Sequence, residues 1–207
     1  GFFVEIVRDL GCCGRGLGRQ NALGYAVGCG VGYGERRGGI PRVKTLHLLR
    51  HAKSDWGEPG LSDHDRPLNA RGLRDAPLMG AALHHALQAI SVHVSSARRA
   101  QMTLAGLCAG WPALASQRHS TEAALYAFDA RELLAWLRAR PDEDEALFLI
   151  AHNPGLTDLA NQLVPGLRLA NLPTAGYLQL RLPIEHWRAV VDCRAQLVQQ
   201  IFPRDLQ

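Results

Sequence analysis

Three apolar runs in this sequence each stop on cationic or imidazole side chains. Leu46 to Leu49 runs into Arg50-His51-Ala52. Val92-His93-Val94 leads into Ser95-Ser96-Ala97-Arg98-Arg99, and Leu147 to Ala151 leads into His152-Asn153-Pro154-Gly155. A basic pair on a solvated loop is commonplace, and any one of these endings alone is no more than that. Together they describe a convergent site, because an open α/β sheet gathers its chemistry in the crevice beyond the C-terminal ends of its strands. A guanidinium offers a planar fork of donors that matches phosphate oxygens. His152 stands where a helix begins, and free backbone N–H groups there favour an anion. Histidines with arginines, and neither a Ser or Cys nucleophile elbow nor a carboxylate cluster for metal, point to phosphoryl transfer through an imidazole. One ring would attack phosphorus while the cations neutralise charge on the equatorial oxygens. The attacking nitrogen must be unprotonated, which the other ring N–H secures by donating to a carbonyl. His47, within the first run, reads as a strand residue only.

The elements that must hold these residues follow from pattern. Leu46–Leu49, residues 90–94 and residues 147–151 are short buried strands. Between the first two lies a polar loop, residues 55–65, placed to cover the site. Asn69 is a candidate N-cap for a helix over about residues 70–89, with Leu73, Met79, Leu83 and Leu87 as its apolar face. His84 and His85 are adjacent on that helix, about 100° apart, and read as surface histidines rather than a metal pair. A helix over residues 99–109 ends at Gly110-Trp111-Pro112, and a weak strand is expected around residues 118–120. Asp129-Ala130-Arg131-Glu132 matches a capping box opening a helix to about Arg140. The acidic loop 141–145 reads as solvated. A helix from Asn153-Pro154-Gly155 ends near Val164, residues 177–182 alternate as a strand, and residues 187–191 are the expected last strand. Strands interleaved with helices imply an α/β sandwich.

Composition excludes several classes. The 207 residues are 47% hydrophobic and 20% charged, an ordinary globular chain that suits one domain. The net charge is +4 and the pI about 9.0. Residues 1–42 hold six arginines against Glu5, Asp9 and Glu35, so most of the excess lies outside the patterned region and does not argue for nucleic acid. Twelve of the 21 glycines fall in the same stretch. It has no helical or alternating period and no apolar core of a signal peptide, and its alternating glycines lack the strand and helix of a nucleotide-binding loop. We therefore expect a 1–42 leader, disordered or upstream of the natural start, and one domain over 43–207. The five cysteines form no CxxC pair, so neither a disulfide framework nor a finger-type zinc site is expected. No run approaches the ~18 apolar residues of a membrane span. A cytoplasmic location and a monomer are the defaults.

With those residues in place, the pattern is identifiable. LLRHAKS resembles the Arg-His-Gly/Ala signature of the histidine phosphatase (phosphoglycerate mutase-like) superfamily. DRPLNARG, VSSARRAQMT and AHNPG resemble its SixA-type phosphohistidine phosphatase branch, in family order over about residues 43–192. The resemblance implies a three-layer α/β/α sandwich with a mostly parallel sheet, and a phosphatase needing no metal or other cofactor. It implies that His51 becomes phosphorylated, that Arg50 binds the phosphoryl group and that His152 stabilises it. Arg99 rather than Arg98 matches the family arginine, since it precedes Ala100 and stands four residues before Thr103. Ser54 aligns with a pocket-loop serine. Two departures stand out: the signature glycine is Ala52, and Glu122 is the one candidate for a general acid, in a context that matches poorly. A P–N bond leaves through a nitrogen that solvent readily protonates, so a dedicated acid matters less for phosphohistidine than for an alkyl phosphate.

The expected substrate is protein phosphohistidine. The alternatives are a small-molecule phosphomonoesterase of the same superfamily, which calls for longer inserted loops, and a binding module that keeps the pocket without turnover.

Overall fold

The structure, a computed structural model, describes residues 43–57 and 59–206. The expectation for a leader over residues 1–42 lies outside the described residues. In chain order the elements are β1 (Lys44–Arg50), α1 (Ala70–Ala86), β2 (Val92–Ser95), α2 (Arg98–Gly110), α3 (Pro112–Ala115) and β3 (His119–Glu122). They continue with α4 (Ala130–Arg138), β4 (Ala146–Ala151), α5 (Gly155–Leu163), β5 (Tyr177–Leu182) and β6 (Gln196–Ile201). The strands form one sheet in the order β3-β2-β4-β1-β5-β6. β1, β2, β3 and β4 run parallel, and β5 pairs antiparallel with both of its neighbours.

Alternation within the apolar runs decides the layering, because successive strand side chains face opposite sides. Leu46 and Leu48 of β1, with Leu147 and Leu149 of β4, point into a core shared with Leu133 and Leu137 of α4 and Leu156 and Leu159 of α5. Leu49, Phe148 and Ile150 point the other way, against Met79 and Leu83 of α1 and Leu104 and Leu107 of α2. A sheet buried on both faces needs continuous apolar strands, which is why LHLL and ALFLIA carry so little polarity. The expected three-layer α/β/α sandwich with a mostly parallel sheet is the observed architecture. No helix among the described residues is long and apolar enough to cross a membrane.

Several local expectations are corrected. Residues 187–192 form a 3-10 helix that buries Trp187 and Val190, and the last strand is β6, whose QLVQQI alternates between exposed and half-buried. Polar edge strands of this kind give little apolar signal. Leu73 is 55% exposed and takes no part in the buried face of α1, which uses Met79 and Leu83 together with Gly72, Ala76 and Gly80. Asn69 does cap α1, its side chain accepting from Gly72 N at 3.0 Å. Asp129 caps α4 through Arg131 N at 2.8 Å, one residue short of the capping-box geometry. The acidic loop is more than solvated: the Asp142 carboxylate accepts from Trp187 N at 2.9 Å and pairs with His186 Nδ1 at 2.7 Å. That contact closes the bottom of the sheet.

Candidate active site

β2, β4 and β1 are parallel neighbours, so their C-terminal ends open on one crevice. Arg50 is the last residue of β1 with His51 directly after it, Ser95 closes β2, and His152 follows Ala151 at the end of β4. Arg99 lies in the first turn of α2, 2% exposed, and reaches back into the same crevice. The loop after β1 is pinned at its base by Asp55 N donating to Pro67 O at 2.8 Å and Asn69 N donating to Lys53 O at 3.0 Å. It is tied to α2 by Arg98 N donating to His64 O at 3.0 Å. The loop thus arches over the strand ends, as its position after β1 implied.

The hydrogen bonds fix both imidazoles in opposite tautomers. His51 Nδ1 lies 2.7 Å from the Ala52 carbonyl, which can only accept, so Nδ1 carries the proton and Nε2 the lone pair. Arg99 Nε, a donor only, faces that Nε2 at 3.3 Å. Arg99 Nη2 lies 3.2 Å from His152 Nδ1, making this nitrogen the acceptor, and His152 Nε2–H donates to Ser95 Oγ at 2.7 Å. The two ring centroids are 5.0 Å apart. Thr103 completes the frame, accepting from Ala52 N at 2.9 Å and donating to Arg99 O at 2.7 Å.

Electrostatics hold both rings neutral. Burial pushes the His51 pKa down to about 3, with the charges of Arg99, Arg50 and Arg66 adding to it against the opposing Ala52 carbonyl. Burial also pushes His152 down to about 2, joined by His51 and Arg99. A neutral imidazole with a free lone pair is the form that can attack phosphorus.

Beside the His51 ring lies a cavity of about 270 Å³ whose lining includes the cations Arg50, Lys53, Arg66 and Arg99, together with His51, Ser54 and Asn153. Arg50 Nη1 donates to Leu172 O at 2.7 Å, and its buried Nε finds no partner among the described residues. Arg66 likewise keeps a buried Nε and Nη1 without partners, its guanidinium 3.4 Å from the centroid of the exposed Trp56 ring. Buried donors left unpaired are costly unless a ligand takes them. The carboxylate among the lining residues is Asp63. It accepts from Arg99 Nη2 at 2.9 Å, from Tyr126 Oη at 2.6 Å and from Arg66 Nη2 at 2.5 Å. Partial burial works to raise its pKa, and the hydrogen bonds from Tyr126 and Arg99 with the charges of Arg99 and Arg66 outweigh it, holding the group ionised.

A cationic pocket with one unprotonated imidazole nitrogen aimed into it suits a phosphoryl group, and comparison with known proteins agrees. The sequence profile of the histidine phosphatase superfamily, branch 1, matches residues 46–152. The chain belongs to the histidine phosphatase superfamily. An uncharacterized protein of Mycobacterium tuberculosis is 34% identical over 166 residues, 75% of this chain and all of that one. A candidate SixA phosphohistidine phosphatase from Nakamurella multipartitia superposes with a TM-score of 0.66 at 26% identity, over 78% of this chain and 96% of that chain. A protein histidine phosphatase SixA complexed with tungstate shares the fold, with a TM-score of 0.64 at 22% identity over 79% and 99% of the two chains. The activity class is that of a phosphatase.

For this histidine phosphatase the structure brings Arg50, His51, Arg99 and His152 together, and places Ser54 in the pocket wall, 4% exposed. It does not bring Glu122 there. Glu122 closes β3, and its Oε1 lies 3.2 Å from His93 Nδ1, in a separate cavity with Arg118 and Arg140. Sequence reasoning missed Asp63, Arg66 and Tyr126, which reach the site from loops without any period. For Asp63 and Arg66 the one available signal was the density of charge between β1 and α1; Tyr126, just before α4, had none. His47, read as structural, is buried with its Nδ1 2.6 Å from Tyr177 Oη and its pKa pushed down to about 4 by burial.

Proposed function

We propose that this protein is a metal-independent phosphatase that removes the phosphoryl group from protein phosphohistidine through a phosphohistidine intermediate on His51. The observation that carries this reading is the His51 tautomer: the Ala52 carbonyl holds the Nδ1 proton, and burial keeps Nε2 unprotonated toward the pocket. In the first step the Nε2 lone pair forms a bond to phosphorus as the P–N bond to the substrate breaks, and the departing imidazole nitrogen takes a proton from solvent. Arg50, Arg66 and Arg99 neutralise the phosphoryl oxygens, and His152, held by Ser95, positions Arg99 through the Nη2–H that its Nδ1 accepts. In the second step water attacks phosphorus, releasing inorganic phosphate and restoring neutral His51. Ser54 contributes to the wall.

The preference for a P–N bond rests on the acid. Asp63 is the carboxylate at the pocket and is held ionised by three donors, which makes it a poor proton donor for an alkoxide. An imidazole leaving group does without that help. The SixA-type structure at 26% identity supports the same substrate class. Metal independence follows from charge: four cations surround the phosphoryl position, and Asp63, the one lining carboxylate among the described residues, is engaged by three donors.

Rapid-quench mass spectrometry with a phosphoramidate donor tests the mechanism. An acid-labile adduct of about 80 Da on His51, absent from His51→Ala, is expected. A folded protein showing neither adduct nor turnover would reject it. Relative kcat/KM on phosphohistidine peptides and on sugar phosphates tests the substrate class, and a preference for the esters rejects it.

A further inference from the structure

A second cavity of about 280 Å³ adjoins the first, and Thr174 lines both. Its other walls come from the start of α1, with Arg71 and Asp75, from Pro173, and from the C-terminal segment Phe202, Pro203 and Arg204. The partition is rigid. Ala175 takes a left-handed φ of 57°, and its N–H is shared between the carbonyls of Arg50 at 3.1 Å and His51 at 3.2 Å. A non-glycine residue holds that conformation only when its surroundings impose it. Arg71 Nη2 then donates to Thr174 Oγ1 at 2.8 Å, tying the partition to α1. The wall between the cavities is therefore built on the backbone of the two residues at the centre of the proposed reaction.

Charge says what the second cavity takes. Across both cavities, six guanidinium or ammonium groups face two carboxylates, Asp63 and Asp75. Asp75 pairs with Arg71 at 3.5 Å, and Arg204, 79% exposed, lies 3.5 Å from the exposed Asp205 and over the Phe202 ring. The second cavity is itself lined by two guanidiniums, Arg71 and Arg204, against one carboxylate, Asp75, and a phosphoryl dianion in the first cavity leaves that lining unchanged. Pro173, Phe202 and Pro203 add an apolar floor for the stem of a side chain. An extended peptide advances about 3.3–3.6 Å per residue, so a neighbour within about three positions of a phosphohistidine spans the partition.

We propose that this second cavity is a recognition site for an acidic side chain flanking the phosphohistidine of a protein substrate. The proposal rests on the phosphohistidine reading above and adds the sequence context of the substrate. Histidine peptides phosphorylated by phosphoramidate, with Glu, Ala or Lys at the flanking positions, supply the probe. The readout is the ratio of kcat/KM between the Glu and Lys peptides, measured in one preparation, so partial unfolding lowers both arms alike. Exposed charge pairs contribute about 0.2–1 kcal/mol, and Lys turns that attraction into a repulsion of similar size, so the full-length protein should favour Glu over Lys by about twofold to thirtyfold. Arg204→Glu should erase or invert the ratio, and Arg71→Gln should reduce it. Equal kcat/KM for all three peptides overturns the second site and leaves the phosphatase reading standing. A preference that survives both substitutions also overturns it. Hydrolysis of p-nitrophenyl phosphate with no turnover of any phosphopeptide overturns both.

Discussion

Arg99 donates Nε–H to His51 Nε2 across 3.3 Å and Nη2–H to His152 Nδ1 across 3.2 Å, so one guanidinium sets the lone pairs of both imidazoles. The same Nη2 meets Asp63 at 2.9 Å. A buried cation is tolerated only when its donors are met, and here two imidazoles and a carboxylate share the task. On the proposed mechanism phosphate enters among these partners, so the Asp63–Arg99–His51 chain is where a ligand would be felt.

Both imidazoles should therefore be neutral well into the acid range. Long-range ¹H–¹⁵N spectra at pH 5 should show His51 as the Nδ1–H tautomer and His152 as the Nε2–H tautomer. The directions come from burial and the neighbouring arginines, which push the pKa values to about 3 and about 2. An imidazolium signal from His51 at pH 5 in the ligand-free protein would contradict the assigned geometry.

Asp63→Asn should tighten inhibition by vanadate. The Asp63 carboxylate occupies Arg99 and Arg66, and it repels any dianion that reaches them. Two charges about 5 Å apart at an effective dielectric of 20 interact by about 3 kcal/mol, and the half-exposed position of Asp63 reduces that. A fall in Ki of about tenfold is expected. A Ki that stays the same or rises would mean that Asp63 only orients Arg99.

How far the sequence could carry these conclusions depends on which residues sat at the ends of periodic runs. Arg50, His51, Arg99 and His152 follow three strands whose buried faces leave an apolar trace, so both the sheet and the convergence of these four side chains at its edge were legible. β6 was not, because QLVQQI is a half-exposed edge strand, while the apolar residues 187–191 bury themselves as a 3-10 helix. Glu122 was chosen by type, but its carboxylate pairs with His93 away from the pocket. Asp63 and Tyr126 come from loops, where contacts across 36 to 63 residues decide position and no local pattern records them, and Arg66 is set by Asp63 three residues before it.

Stability should fall as pH drops below about 6.5. His47, His51 and His152 have folded pKa values pushed down to about 4, 3 and 2, against 6.5 when unfolded. Between those limits the unfolded chain binds protons that the folded chain refuses, so unfolding gains free energy with acid. Each group contributes of order 1 kcal/mol between pH 7.5 and pH 5.5. Tm measured across that interval should decline, and less steeply in His47→Phe, which removes one of the three. A flat Tm would show that these histidines titrate normally.

Gly72 and Gly80 offer a paired test of what holds the pocket in place. A Cβ at Gly72 would stand 2.3 Å from the Lys53 carbonyl oxygen, and one at Gly80 would stand 2.3 Å from that of Leu107. Both are backbone clashes, so alanine at either position forces a shift that costs about 1–3 kcal/mol. Their locations differ. Gly80 lies in the packing of α1 on α2, whereas Lys53 lines the cavity beside His51, two residues beyond it, and its carbonyl also accepts from Asn69 N. Gly72→Ala and Gly80→Ala should lower Tm by similar amounts. At a temperature where both remain folded, Gly72→Ala should lose about tenfold in kcat/KM, because moving Lys53 displaces the loop that carries the phosphate-binding cations. Gly80→Ala should keep nearly all of its activity. Equal losses in the two variants would mean that the pocket responds to global stability and not to the seat of α1 against the loop after β1.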